Sequence, residues 1–173
     1  MNTVRWLCAT TLATVVTVPM ARAQEPPKPG PEHEVLKKLE GNWDTSMKVQ
    51  GMEVKGTAVY KMELGGMWLV SSVEGEVSGT KFYGKGLDSY DPITKKYVSV
   101  FVDNMGGRPL VMDGTYDKDK KTLTLAGEGP GMDGKTTKYK SVAEMPDDNT
   151  INVTMWMGDG KDAEFNIVYK RKK

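Results

Sequence analysis

Two carboxylates and a phenol, Asp88, Tyr90 and Asp103, are the residues of this chain best placed to do chemistry. Between Thr80 and Tyr90, Lys81, Lys85 and Ser89 alternate with Phe82, Gly84, Gly86, Asp88 and Tyr90. If the lysines and Ser89 face solvent, Asp88 and Tyr90 face inward. The same alternation puts Asp103 on one face with Phe101, Ser99 and Tyr97. An inward carboxylate pair could hold the polar head of a ligand, or serve as acid and base with a raised pKa. The plainer role is structural, with both aspartates at strand ends receiving turn amides. Asp91-Pro92 suits the first two positions of a type I turn in the same way.

Other chemistries find little to work with. His33 is the one histidine and Cys8 the one cysteine, and Cys8 sits in an apolar N-terminal stretch. That excludes the usual zinc ligand sets. Haem is carried most often on a histidine, and no histidine falls on a predicted strand. No metal and no cofactor is therefore expected. Asp117-Lys118-Asp119 and the run Asp159 to Asp162 lack the spacing of a calcium loop and read as solvated hairpin tips. There is no G-x-S-x-G elbow. Gly127 to Gly131 is a turn without the following helix that a phosphate loop requires. Asn152-Val153-Thr154 matches a glycosylation sequon, but in mid-strand it reads as a chance match. The abundant methionines, among them Met155 and Met157 flanking Trp156, suit an adaptable pocket or an ordinary core.

The elements that must position these residues are short strands. From Gly41 onward, period-two alternation runs between turns at Gly65-Gly66, Asp91-Pro92, Asn104 to Gly107, Asp117 to Lys120, Asp133-Gly134, Asp147 to Asn149 and Gly158 to Gly160. Val54, Gly56, Ala58, Tyr60 and Met62 share one face, as do Phe165 and Ile167. About ten strands result, joined by tight turns as an antiparallel up-and-down meander. Closing them into an all-β barrel removes the exposed edges of an open sheet; a sandwich is the alternative. The inner face of residues 67 to 77 stays open, with Leu69, Val73 and Val77 competing against Trp68, Val70 and Glu74. Glu32 to Leu39 reads as one short helix stopped at Gly41, with Val35, Leu36 and Leu39 forming a stripe suited to cover one mouth of the barrel.

The N-terminus speaks to location. Arg5, the uncharged apolar stretch Trp6 to Met20 and Ala21-Arg22-Ala23 together read as a secretory signal peptide over residues 1–23, cleaved before Gln24. The stretch is short for a spanning helix, and an uncleaved anchor is the alternative. Cleavage delivers a periplasmic or extracellular protein with no stable membrane insertion and no cysteine. Residues 24–31 are proline-rich and read as a stiff linker. Residues 32–173 then form a single domain, long enough to need no disulfides. Losing Arg5 and Arg22 leaves basic and acidic residues nearly balanced, so nothing argues for nucleic acid.

Gly65-Gly66-Met67-Trp68-Leu69, Gly84-Lys85-Gly86-Leu87-Asp88-Ser89-Tyr90-Asp91, and Lys95 to Val98 continuing to Val102-Asp103-Asn104-Met105-Gly106 resemble a bacterial family catalogued as domain of unknown function 1579. The resemblance covers residues 32 to 170. Ser89 and Phe101 stand where that family has glycine and tryptophan, which marks a divergent member. Gly41-Asn42-Trp43 is also similar to the G-x-W signature of lipocalins. These likenesses imply a calycin-like barrel and assign no activity.

The expected architecture is thus a ten-stranded antiparallel barrel with a helix at one end. The expected function is to hold a small, largely apolar ligand inside it. Tyr60, Phe82, Tyr90, Phe101, Tyr139, Trp156 and Phe165 would line the cavity, with Asp88 and Asp103 as its polar contacts. Two other readings stand beside it: an acid–base isomerase or hydrolase using the interior carboxylates, and an envelope interaction module with a filled core.

Overall fold

The computed structural model describes residues 27–49, 52–77, 79–131, 133–159 and 165–173. The expected signal peptide, the start of the linker and most of the acidic loop after Asp159 lie outside the described residues. A short helix α1 (His33–Lys37) leads into ten strands. They are β1 (Gly41–Val49), β2 (Met52–Glu63), β3 (Trp68–Val77), β4 (Thr80–Asp91), β5 (Lys96–Asp103), β6 (Leu110–Asp117), β7 (Thr122–Pro130), β8 (Thr136–Asp147), β9 (Thr150–Met157) and β10 (Phe165–Arg171). Each strand pairs antiparallel with its sequence neighbours, and β1 pairs with β10, so the sheet closes as a barrel rather than a sandwich.

Alternation decides what fills it. Leu69, Ser71 and Val73 face inward, which settles β3 in favour of the leucine set. Tyr97, Met112, Leu123, Leu125 and Ile151 complete the buried interior. Glycines on the same face let the sheet bend. A Cβ on Gly114 would lie 1.9 Å from the Thr124 carbonyl, and one on Gly127 would lie 2.0 Å from that of Val111. Only a residue without a side chain lets β6 and β7 cross so tightly. In β8, Pro146 brings no N–H to the ladder, and the register with β9 shifts between Glu144 and Asp147.

One end of the barrel is plugged. Leu36 of α1 is 1% exposed and packs with Leu69 and Tyr97, a burial worth about 2 kcal/mol. Val35 and Leu39 pack beside it, as the apolar stripe predicts. Gly41 does not end the helix, which stops at Lys37; it opens β1 instead, with φ 137°. A Cβ there would lie 2.5 Å from Nη1 of Arg171, so Gly41 clears the path of that guanidinium. Arg171 donates to the carbonyls of Lys38, Glu40 and Asp148 and lies 4.2 Å above the Trp43 ring. Trp43, 1% exposed, donates its indole N–H to the Leu39 carbonyl. The Gly41-x-Trp43 signature thus has a physical reading: clearance for the arginine, then a platform beneath it.

Arg171→Ala removes three charge-assisted hydrogen bonds and a cation–π contact. It is expected to cost about 3 kcal/mol, or roughly 10 °C in Tm. Arg171→Lys should recover less than half of this, since an ammonium cannot fan across three carbonyls. Thermal denaturation by circular dichroism checks both, and a loss under about 2 °C for the alanine variant would show that the clamp does not hold the plug.

Candidate functional site

The inward residues form three levels from plug to mouth. The floor is aromatic. Tyr90 and Tyr97 meet edge-to-face at 5.2 Å, Tyr97 and Tyr116 at 6.4 Å, and His33 packs against Tyr90 at 6.3 Å. Tyr97 donates its hydroxyl to the Glu32 carbonyl, and burial together with the nearby Glu32 charge pushes its pKa up to about 12. Tyr90, expected as a cavity contact, therefore belongs to the packing that holds the plug.

The middle level carries the polar groups. Asp88 of β4 is the register partner of Leu69 and of Ser99. Burial raises its carboxyl pKa from 3.8 to about 6, and the Ser99 hydrogen bond opposes the rise without cancelling it. The barrel encloses Asp88, yet part of its surface stays accessible, which puts that surface on the lumen. Tyr60 of β2 and Tyr169 of β10 meet edge-to-face at 6.3 Å. Burial raises both phenols first of all, and the Asp88 charge raises both further. The neighbouring Tyr169 adds to the rise at Tyr60, while Tyr60 opposes the rise at Tyr169.

The upper level is apolar and narrow at the wall. Phe82 and Phe101 stack at 6.5 Å and 17°. Phe101 lies against Gly84, where a Cβ would come within 2.4 Å of its ring, and beside Gly86 at 3.6 Å. The glycines let the ring lie along the wall instead of standing across the lumen. At the rim, Tyr139 donates to the Pro130 carbonyl at 2.7 Å with the Met157 sulfur at 3.2 Å. Asp103 accepts the Met105 amide at 2.8 Å, the turn-capping role that aspartates often take.

Several expected placements change. Trp156 does not line the lumen. Its neighbours Met155 and Met157 face inward opposite Ser141 and Tyr139, so Trp156 points outward, where the Lys140 ammonium sits 5.2 Å over its ring. Ser89 does not face solvent: it is 4% exposed and donates to the Met67 carbonyl at 2.7 Å, under the turn Leu64–Gly66. Asp88 and Asp103 do not converge. Asp103 pairs with Gly84, four residues along β4 from Asp88, a separation of about 13 Å at 3.3 Å per residue. Phe165 keeps its inward place opposite Met155. Tyr169 was not among the expected contacts, although alternation from Phe165 and Ile167 leads to it. Among the described residues, no three His, Cys, Asp or Glu side chains gather as a metal-holding group.

The raised Asp88 pKa has a sign that can be tested. Its proton is held more tightly in the folded protein than in the unfolded chain, so the folded state gains from protonation. This contribution is complete below about pH 4, is lost as pH rises through about 6, and is flat above; the gap between 3.8 and about 6 corresponds to about 3 kcal/mol. Asp91 and Asp117 are held below the usual carboxylate range by hydrogen bonds and act in the opposite direction. The test is therefore the difference between Asp88→Asn and the parent. Urea midpoints at pH 4, 5, 6 and 7.5 should show the variant gaining on the parent as pH rises. A difference constant across that range would place Asp88 in contact with bulk water.

The chain belongs to the family described as protein of unknown function DUF1579, whose profile matches residues 28–171. No curated protein matches it. Among solved structures it is similar to Rv2717c from M. tuberculosis, at 16% identity and a TM-score of 0.61, covering 83% of this chain and 99% of that one. Two redesigned β-barrels align less closely. One has 13% identity and a TM-score of 0.45, covering 80% of this chain and 96% of its own. The other, mFAP1 bound to DFHBI, has 14% identity and a TM-score of 0.46, covering 79% and 98%. At such identities the likeness to Rv2717c bears on the fold.

Proposed function

We propose that this member of the family is an exported binding protein that takes a small, largely apolar molecule into the barrel, polar end first. The observation that carries this reading is Asp88. A carboxyl held inside a barrel with one serine partner is costly to the fold, and such groups concentrate at functional sites. Around it stand the phenols of Tyr60 and Tyr169, and above it an apolar wall of Phe82, Phe101 and Met155. A ligand whose head offers hydrogen-bond donors or positive charge to Asp88, and an acceptor to Tyr169, fits that order of groups. Export is supported by Arg5, the apolar stretch and Ala21-Arg22-Ala23.

A general-base reading draws on the same carboxyl, since a pKa of about 6 is useful near neutral pH. It lacks the second carboxyl that the sequence offered, because Asp103 caps a turn at the rim. Binding is the reading that uses every group at the middle level.

Native mass spectrometry of the protein purified from the envelope fraction, followed by solvent extraction, is the direct test. A reproducible small-molecule adduct is expected, with an N-terminus at Gln24. Asp88→Asn should lower its affinity about tenfold at pH 7.5 and by much less at pH 5, where the parent carboxyl is itself largely protonated. An adduct unaffected by Asp88→Asn and by Tyr169→Phe would move the ligand out of the lumen.

A further inference from the structure

The charges of the barrel are sorted by side. Every lysine on the ten strands is exposed, and alternation turns each of them outward. Arg171 has inward parity, but its guanidinium is taken by three carbonyls at the plug end. Of the inward carboxyls, Asp103 caps a turn at the rim. Asp88 is left deep in the barrel with nothing positive facing it. Burial and Ser99 act on its carboxyl, and among the described residues no cation does. A charge inside a protein is ordinarily paired. Asp88, Tyr60 and Tyr169 are enclosed by the barrel, yet each keeps some accessible surface, which faces the lumen. The wall between Tyr60 and Asp88 is low. Tyr60 is the register partner of Ser71, Ser71 that of Gly86, and Asp88 follows two residues on. A Cβ on Gly86 would lie 2.4 Å from the Ser71 hydroxyl oxygen, so no larger residue fits there.

We propose, resting on the binding role set out above, that the head held at Asp88 is a protonated primary amine, so that the ligand is a lipophilic amine. An ammonium supplies the charge that the lumen lacks, together with three N–H donors. The Asp88 carboxylate accepts one. The Ser99 hydroxyl and the phenol oxygens of Tyr60 and Tyr169 are acceptors for the others. Both phenols lie close enough to Asp88 for its charge to act on them. A cation beside Asp88 is therefore also drawn to their rings. Other heads fit less well. An alcohol brings no charge, and a carboxylate meets its own sign. A quaternary ammonium has no N–H for the carboxylate. Toward the mouth, the tail of the amine meets Phe82, Phe101 and Met155. An alkylamine keeps its own proton below about pH 10. Its arrival therefore drives the proton of Asp88 out to solvent, and its affinity rises as pH climbs through about 6.

Isothermal titration calorimetry tests this on protein purified after expression of the full-length chain. The probes are octylamine, 1-octanol, octanoate and octyltrimethylammonium, which share one tail. At pH 7.5 octylamine is expected to bind about tenfold more tightly than 1-octanol, with the other two weaker still. At pH 6, titrations in phosphate and in MES, whose ionisation enthalpies differ, should show about half a proton released per octylamine bound. At pH 8 the release should vanish, and 1-octanol should release none at either pH. Asp88→Asn should weaken octylamine about tenfold, leave 1-octanol within about twofold and abolish the proton release. Equal binding of amine and alcohol overturns the amine assignment while leaving the binding role standing. Octylamine bound without proton release at pH 6 seats its head away from Asp88 and overturns the assignment on the parent protein alone. Binding of none of the four overturns it too, and the extracted native adduct then decides the binding role by itself.

Discussion

Arg171 locks the two ends of the domain to each other. It lies in the last strand, pairs by register with Trp43 in the first, and reaches past both to the carbonyls that follow α1. A single guanidinium thereby joins barrel closure to plug attachment. Its three acceptors come from two separate segments, one before β1 and one in the turn between β8 and β9. With its own strand β10, it ties three parts of the chain together. Because the plug is held, the barrel has one closed end. Because that end is closed, the middle of the lumen is shielded from bulk water on one side, and Asp88 carries a raised pKa.

The wall above that level is shaped by what is missing. Gly84 and Gly86 leave a shallow bed in which the Phe101 ring lies, with Phe82 stacked beyond it. Large aromatic area is therefore packed flat along the sheet. Gly114 and Gly127 serve a different end, letting β6 and β7 approach until their backbones nearly touch. Strand-interior glycine weakens a sheet locally, and here that weakness is the condition for tight curvature. The polar middle level is thereby set between an aromatic floor and an apolar wall.

Much of the fold could be read from the chain because its signals are local. Alternation in residues 54 to 62 and 80 to 90 placed Tyr60, Phe82 and Asp88 on the inner face, and the structure agrees. The helix stripe of Val35, Leu36 and Leu39 likewise meets the barrel mouth as expected. The errors arose where a local rule met a distant neighbour. Ser89 obeys the alternation and points outward, but the Leu64–Gly66 turn folds over it and takes its hydroxyl. Trp156 looked like a cavity residue by its size, whereas its parity, readable from Met155 and Met157, points it outward under Lys140. The turn before β4, at Gly79 with φ 81°, was not among the expected turns, although Ser78-Gly79 is a turn pair.

By itself the sequence determined the approximate number of strands, their up-and-down order, the helix at one end and, outside β3, the faces into which side chains divide. Those follow from a two-residue period and from turn residues, which act within a few positions along the chain. Tertiary structure alone decided which residues meet across strands. It separated Asp88 from Asp103, brought Tyr169 to Tyr60, set Arg171 over Trp43, and aligned Val70, Leu87, Val100 and Val111 into one outer row. Register is the reason. Shifting a strand by two residues leaves every side chain on the same face and every local signal unchanged, yet it replaces each cross-strand neighbour. Closing β1 onto β10 fixes those registers together, and with them the site.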